Sequence, residues 1–306
     1  MIKTGYSSDE YKKVYSSSTV HVDLEDSVTC IFSNTGGRPA TAKDLASIYP
    51  FDVENRSYMP KSTETTVTTT IITNPLIERP HLAAQVGLDN MIKYKEHYIV
   101  DLQSYDVAKL PENHRRNIRK NDKNKGLDLP FVTVEICANP VLWHNRVSDM
   151  YDNLVERHDI KEGSWTAYSR EQIKMLLEVP GSVLFRVLHY NNIFHLPDVV
   201  NYSLFYIDGP NVYYQLSSMS SKGYKANANF IMMHEAITFF KGLGFDKLLL
   251  GAVPDGGSDG LLRFKKGFST SSSWNYIIKH VNNQPLYDKL CEGKEDNGFF
   301  PLYRSK

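Results

Sequence analysis

Three stretches of this chain combine residue types that could handle an activated, anionic ligand. The first, SSMSSKGYKANAN (217–229), follows an apolar strand and sets Ser217, Ser218, Ser220, Ser221 and Gly223 beside Lys222 and Lys225. A helix then starts at Asn227 or Asn229. Unpaired N–H groups and the positive end of a helix dipole at such a start hold anions. The stretch matches neither GxxxxGK[ST] nor GxGxxG, and a solvated, Asn-capped loop explains the same composition. The second, RFKKGF (263–268), puts Phe264 and Phe268 one helical turn apart. Burying those rings holds Lys265 beside a pocket, where an ammonium can neutralise a phosphate or a developing oxyanion; a helix end with cations at its negative pole is the plainer account. The third, ENHRRNIRKNDKNKG (112–126), carries Arg115, Arg116, Arg119, Lys120, Lys123 and Lys125 against Glu112 and Asp122. Most such runs are solvated faces, whereas an Arg fork also matches phosphate oxygens.

Other chemistry finds little support. The ten histidines have no metal-ligand spacing, and His234-Glu235 is not followed by a second His at helical spacing. No GxSxG elbow occurs, and Cys30, Cys137 and Cys291 sit in no nucleophile motif. Direct transfer to an incoming amine or hydroxyl therefore suits the chain better than a covalent intermediate. It calls for a base on the central sheet, with Asp198, Tyr213, Tyr214 and Glu235 as candidates.

The elements that position these residues follow from periodicity. Strands are predicted at 19–24, 28–33, 65–73, 97–102, 130–138, 181–190, 201–207, 211–219 and 272–281, with a short central strand DKLLLG. Helices are predicted at 81–95, 112–126, 140–159, 169–179 and 228–243, and SDGLLRFKKGF holds one or two helical turns. Ser169 with Gln172 forms a capping-box pattern, and the DGP between 207 and 211 makes an antiparallel hairpin. The fold class is α/β, a mixed sheet with helices on both faces, divided into domains 1–128 and 129–306.

Composition narrows the partners. Lys+Arg and Asp+Glu both number 35, so no overall field draws the chain to nucleic acid or to an anionic membrane, and polyanion binding must be local. No aromatic residue interleaves the basic run, which ranks RNA lowest. Three widely spaced cysteines, an N-terminus without an apolar core and the absence of an ~18-residue apolar window predict a cytoplasmic protein.

Two segments, NHRRNIRKNDKNKGL within about 97–127 and EAITFFKGLGFDKLLLGAVPDGGSDGLLRFKKGF within about 200–270, resemble the GNAT superfamily in its duplicated, Fem-like form. The resemblance implies two tandem GNAT-like lobes with the acyl donor, acyl-CoA, in the second. The pantetheine arm would lie along Gln215, Leu216, Ser217, Ser218 and Met219, and Gly223, Tyr224, Lys225, Ala226, Asn227 and Ala228 would take the pyrophosphate. Here SKGYKANA lacks the glycines of the family's Q/RxxGxG/A. Phe264 and Lys265 match the family's Phe-Lys pair near the reaction centre, which makes Lys265, with Asp198 and Tyr214, the catalytic candidates. Arg115, Arg116, Asn117 and Tyr213 would meet the acceptor. The tyrosine that many single-domain members use as general acid has no counterpart.

What the resemblance implies is an acyltransferase, outside the aminoacyl-transferring subclass. It moves an acyl group from CoA to a nucleotide-linked amino sugar of the dTDP-3-amino-3,6-dideoxyhexose type, for surface polysaccharide (O-antigen) synthesis. No metal and no membrane take part, and the oligomeric state is open, a homodimer being one form. Two alternatives stand beside it: a Fem-like transferase using aminoacyl-tRNA on a peptidoglycan precursor, and a non-catalytic scaffold. Zero net charge and the lack of an inserted coiled-coil arm favour the sugar reading over tRNA.

Overall fold

The computed structural model describes residues 4–14, 19–23, 29–33, 43–47, 66–76, 91–160, 167–253 and 259–304. The early elements are α1 (Asp9–Val14), β1 (Thr19–Asp23), β2 (Thr29–Ser33), β3 (Lys43–Ser47), β4 (Thr66–Ile72) and β5 (Met91–Asp101). Next come α2 (Glu112–Gly126), β6 (Phe131–Cys137), α3 (His144–Arg157), α4 (Arg170–Glu178), β7 (Ser182–Tyr190), β8 (Asp198–Asp208) and β9 (Asn211–Met219). The chain continues through α5 (Ser221–Lys225), α6 (Ala228–Gly242), β10 (Lys247–Ala252), α7 (Asp259–Phe268), β11 (Ser271–Val281) and α8 (Gln284–Cys291).

Two compact units result, one of residues 1–10 and 97–272, the other of 11–96 and 273–306. The sequence reading put a boundary at 128, which lies inside the first unit. The reason is that α2 and β6 are locked together there: the Asn121 side-chain amide donates to Val132 O (3.1 Å) and its oxygen accepts from Val132 N–H (2.8 Å). In the first unit the strand order is β5-β10-β9-β8-β7-β6. The pairs β6/β7, β7/β8, β8/β9 and β10/β5 are antiparallel, and β10/β9 is parallel. The second unit orders β1-β2-β3-β4-β11, with β3/β4 parallel and β4/β11 antiparallel.

The mixed sheet carries helices on both faces, as predicted. On one face Phe185, Val187, Phe205 and Val212 meet α6, which is apolar nearly all round and buries Ile231, Met232, Met233, Ala236, Ile237 and Phe240. A helix with so little polar surface has to sit inside a core. Phe240 contacts both Phe185 and Phe205, and losing such a ring costs about 3–5 kcal/mol. On the opposite face the Tyr206 hydroxyl donates to Leu176 O of α4 at 3.0 Å. The predicted capping box at Ser169 and Gln172 opens α4.

Some elements differ from the sequence reading. Residues 91–95, read as the end of a helix, are strand β5, while 81–90 lie outside the described residues. Long-range contacts decide this segment: the Lys95 N–H donates to Asn275 Oδ1 (2.9 Å), and Lys93 covers the Trp274 ring. The RFKKGF element is a ten-residue helix, longer than the one or two turns expected. The supposed loop 220–228 contains α5, because the Ser220 hydroxyl accepts from Gly223 N–H (3.2 Å) and nucleates a turn.

Candidate functional site

The site grows from the place where two parallel strands part. β9 and β10 are paired only over Asn211–Tyr213 and Lys247–Leu249. Beyond that point β9 continues to Met219 with its own register shift opposite Leu204/Phe205, and β10 shifts register against β5 between Leu249 and Gly251. Bulges of this kind turn strands apart and re-aim side chains. The pairing thus ends short of the carboxyl ends of the two parallel strands, a recurrent ligand position in α/β sheets.

Lys265 reaches the end of β10 from α7. Its side chain is 9% exposed, and its Nζ donates to Ala252 O at 2.7 Å, at the end of β10. A Cβ built on Gly251 would lie 3.5 Å from the same Nζ, so the missing side chain leaves the ammonium open on that side. Among the described residues no carboxylate pairs with it. Burial alone pushes its pKa down from 10.5 to about 8. The lysine is therefore still charged at neutral pH, while poorly solvated and held at one carbonyl, which is the condition under which a cation interacts strongly with developing negative charge.

What holds Lys265 there is a contact the sequence reading did not single out. His114 of α2 is buried among Phe230, Phe264 and Phe268, with ring centroids 4.9, 6.3 and 4.7 Å away, and its Nε2 lies 3.2 Å from Phe264 O. A Cβ on Gly267 would come within 2.1 Å of the imidazole, so only glycine permits α7 to approach α2 this closely. Burial lowers the His114 pKa, which keeps the ring neutral. The two quoted motifs, NHRRNIRK and RFKKGF, are thus halves of one packing unit. Their shared presence was the available signal.

β9 supplies a second feature, a polar network within the sheet. The Asn201 amide donates to Ser217 Oγ (3.0 Å), Ser218 O (3.0 Å) and Asn229 Oδ1 (3.2 Å), and Ser203 Oγ donates to Asn201 Oδ1 at 2.9 Å. Tyr214 stacks on Phe205 with ring centroids 5.0 Å apart, and burial raises its pKa, so its hydroxyl stays protonated at neutral pH. Asn201, Ser203 and Ser218 are buried. The side chains of Asn201 and Ser203 are satisfied there, which rigidifies the network, while the buried Ser218 Oγ has no partner among the described residues.

The remaining predicted residues fall in several places. Tyr213 is buried and meets the edge of Tyr6 at 5.2 Å, and the Tyr6 hydroxyl donates to Gln215 Oε1. In the 220–228 segment the N–H groups of Gly223, Tyr224, Ala226 and Asn227 are taken by Ser220 Oγ, Ser220 O, Lys222 O and Tyr224 O. Gly223 is buried, where a Cβ would strike Met219 Cγ at 2.6 Å and Val200 O at 2.7 Å; the glycine serves close packing. Asn227 adopts the left-handed conformation without capping α6, Ala228 is buried at the helix start, and Lys225 is exposed. Tyr224 lies under the Arg157 guanidinium, whose Nη1 donates to Met219 O at 3.0 Å and so closes the end of β9.

Asp198 is exposed at the start of β8 and pairs with Lys222, whose hydrogen bond and charge hold the carboxyl below its usual range; it is a weak base there. Arg115 donates to Ala108 O (2.9 Å) and Glu112 (2.7 Å), Arg116 to Asn113 Oδ1 (3.1 Å), and Asn117 to Asn113 O (2.9 Å). These bonds lie along α2 and the turn before it; among the described residues Arg115 Nε is buried without a partner, and no hydrogen bond joins the three to Lys265 or β9. Among the described residues no group of three His, Cys, Asp or Glu could hold a metal ion, and no helix is long and apolar enough to cross a membrane.

No protein-family model and no curated protein matches the sequence. Solved structures do resemble this one. A structure of FemX is 14% identical, covers 94% of each chain and gives a TM-score of 0.65. The C-terminal domain of a protein named as a lysylphosphatidylglycerol synthetase, from Agrobacterium fabrum, is 12% identical over 92% of this chain and 88% of the other, with a TM-score of 0.59. L-PGS from Bacillus licheniformis is 14% identical over 88% and 86%, with a TM-score of 0.53. At these identities the likeness establishes a shared fold, the fold of FemX and of the synthetase domain.

Proposed function

We propose that the chain catalyses direct acyl transfer, in which an acceptor amine attacks the carbonyl of an activated acyl donor laid along β9. The observation that carries this is the buried Lys265 ammonium at the end of β10, beside the strand that parts from it. As the amine nitrogen bonds to the carbonyl carbon, negative charge gathers on the carbonyl oxygen, and the ammonium stabilises it; the bond to the leaving sulfur or oxygen then breaks, and the proton lost by the amine nitrogen ends on that leaving group. Orientation by the rigid β9 supplies the other part of the rate.

The finer form of the proposal follows the sequence: the donor is acyl-CoA and the acceptor a nucleotide-linked amino sugar made for surface polysaccharide. Zero net charge supports it over a donor carried on tRNA. A second reading, an aminoacyl ester donor, is favoured by a specific observation. Four N–H groups of segment 220–228 are already bonded within the chain, which thins the cradle a pyrophosphate would use.

Thermal unfolding with CoA and acetyl-CoA separates these. A ligand at ~100 times its Kd stabilises by about 2.7 kcal/mol. A rise in Tm of several degrees supports the thioester donor and leads to dTDP- and UDP-linked amino sugars as acceptors. No rise, together with aminoacyl transfer from charged tRNA to an amine, supports the second reading. Failure to transfer from either donor would sink both and leave a scaffold.

A further inference from the structure

The turn between β7 and β8 holds large apolar side chains away from the body of the first unit. Ile193, Phe194 and Leu196 are 60%, 84% and 94% exposed. Backbone bonds fix them in that attitude: the Ile193 N–H donates to Asp128 Oδ1 at 2.7 Å and the Phe194 N–H to Asn192 Oδ1 at 3.0 Å. Asp128 belongs to the turn leaving α2, where Leu127 and Leu129 are exposed as well. Below them Phe131 stacks on Tyr190, centroids 4.9 Å apart, so the two turns rise from one root. Isolated exposed apolar residues are ordinary, but five on two adjoining turns form a patch that soluble surfaces usually avoid.

The charges around this patch have one dominant sign. On α2, Arg116, Lys120 and Lys123 fall at i, i+4 and i+7 of one exposed line that ends at Leu127, and Lys125 adds a further cation in the last turn. Against them stand Asp122 and Asp128, the latter turned to the Ile193 N–H. Glu112, at the other end of α2, is engaged by Arg115 and Arg119. At the start of β8, Lys222 and Asp198 neutralise each other.

We infer that this promontory docks on an anionic lipid surface, with Phe194 and Leu196 entering the boundary between headgroups and acyl chains and the α2 cations facing lipid phosphates. Charge complementarity selects this occupant over a second copy of the chain, since two copies apposed through the patch would bring like cations together. The zero net charge of the whole chain confines the attraction to this end.

The test is co-sedimentation of the full chain with phosphatidylcholine vesicles, with and without phosphatidylglycerol. Binding is expected only with phosphatidylglycerol and should weaken with salt. Each basic residue near such a surface contributes about 1 kcal/mol, roughly fivefold in affinity, so K123E/K125E should bind at least about tenfold more weakly. F194S/L196S should lose a similar factor or more. F194W should shift its emission to the blue on vesicles, which reports insertion directly. Absence of binding to phosphatidylglycerol vesicles at low salt, or binding that neither variant changes, overturns the inference. A dimer in sedimentation equilibrium that F194S/L196S breaks, without vesicle binding, overturns it in favour of a second copy.

Discussion

Replacing Lys265 by Met should make the protein more stable and less active at once. The buried ammonium titrates at about 8, against 10.5 for a free lysine side chain. At about 1.4 kcal/mol for each tenfold change in proton affinity, holding it charged in the fold costs about 3 kcal/mol. Below pH 8 both native and unfolded chains carry the proton and the cost is fully present. Between 8 and 10.5 the native chain has released it while the unfolded chain still binds it, so stability rises with pH. Above 10.5 both forms are neutral and the cost is gone. Methionine fills a similar volume without charge, but it leaves Ala252 O without its 2.7 Å donor, which returns about 1 kcal/mol. The net gain at pH 7 is about 2 kcal/mol, or roughly 4–8 °C in Tm for a unit of this size. Thermal unfolding of both proteins at pH 7 and at pH 10.5 measures it, and the gain should vanish at the higher pH. In the same protein acyl transfer should fall by about a hundredfold or more. A K265M protein that is less stable at pH 7, or whose stability difference does not depend on pH, would refute the view of Lys265 as a desolvated, unpaired cation.

Three further outcomes follow from the site. Gly267→Ala should destabilise by at least about 3 kcal/mol in urea unfolding, because its Cβ meets the His114 ring at 2.1 Å; in an H114A background the same change should cost under about 1 kcal/mol. Asp198→Asn should leave turnover within about twofold, since Lys222 holds that carboxyl as a weak base at the protein surface. Any stabilisation from this pair is complete above the ordinary carboxylate pKa and is lost as pH falls through the lowered one, which an acid titration of D198N beside the parent chain detects. Arg157→Ala frees Met219 O and removes the cation over Tyr224, so the KM for donor should change while kcat stays close to the parent value; an altered kcat with unchanged KM would contradict that placement.

Most of the elements were legible locally. The strands of the hairpin β8–β9 and the capping box of α4 are written in alternation and in residues three apart, and short-range rules suffice for them. The same holds for α2, whose apolar positions were few but whose extent was readable. Segment 91–95 was not, because Lys95 and Lys93 take their partners from residues near 275, and a window of fifteen residues contains no trace of them. The short helix α5 was hidden behind a composition of Gly, Ser and Lys that suits loops and helix caps equally.

By itself the sequence determined the fold class, most of the strands and helices between 97 and 281, and the two motifs that would matter. Only the tertiary structure decided what those motifs do. His114 and Phe264 stand 150 residues apart, and it is their contact, with Gly267 as the point of closest approach, that seats α7 on α2. Seating α7 removes Lys265 from water, and desolvation, which depends on everything packed around a charge and on nothing in its sequence neighbourhood, turns an ordinary surface cation into the buried ammonium on which the proposed transfer rests.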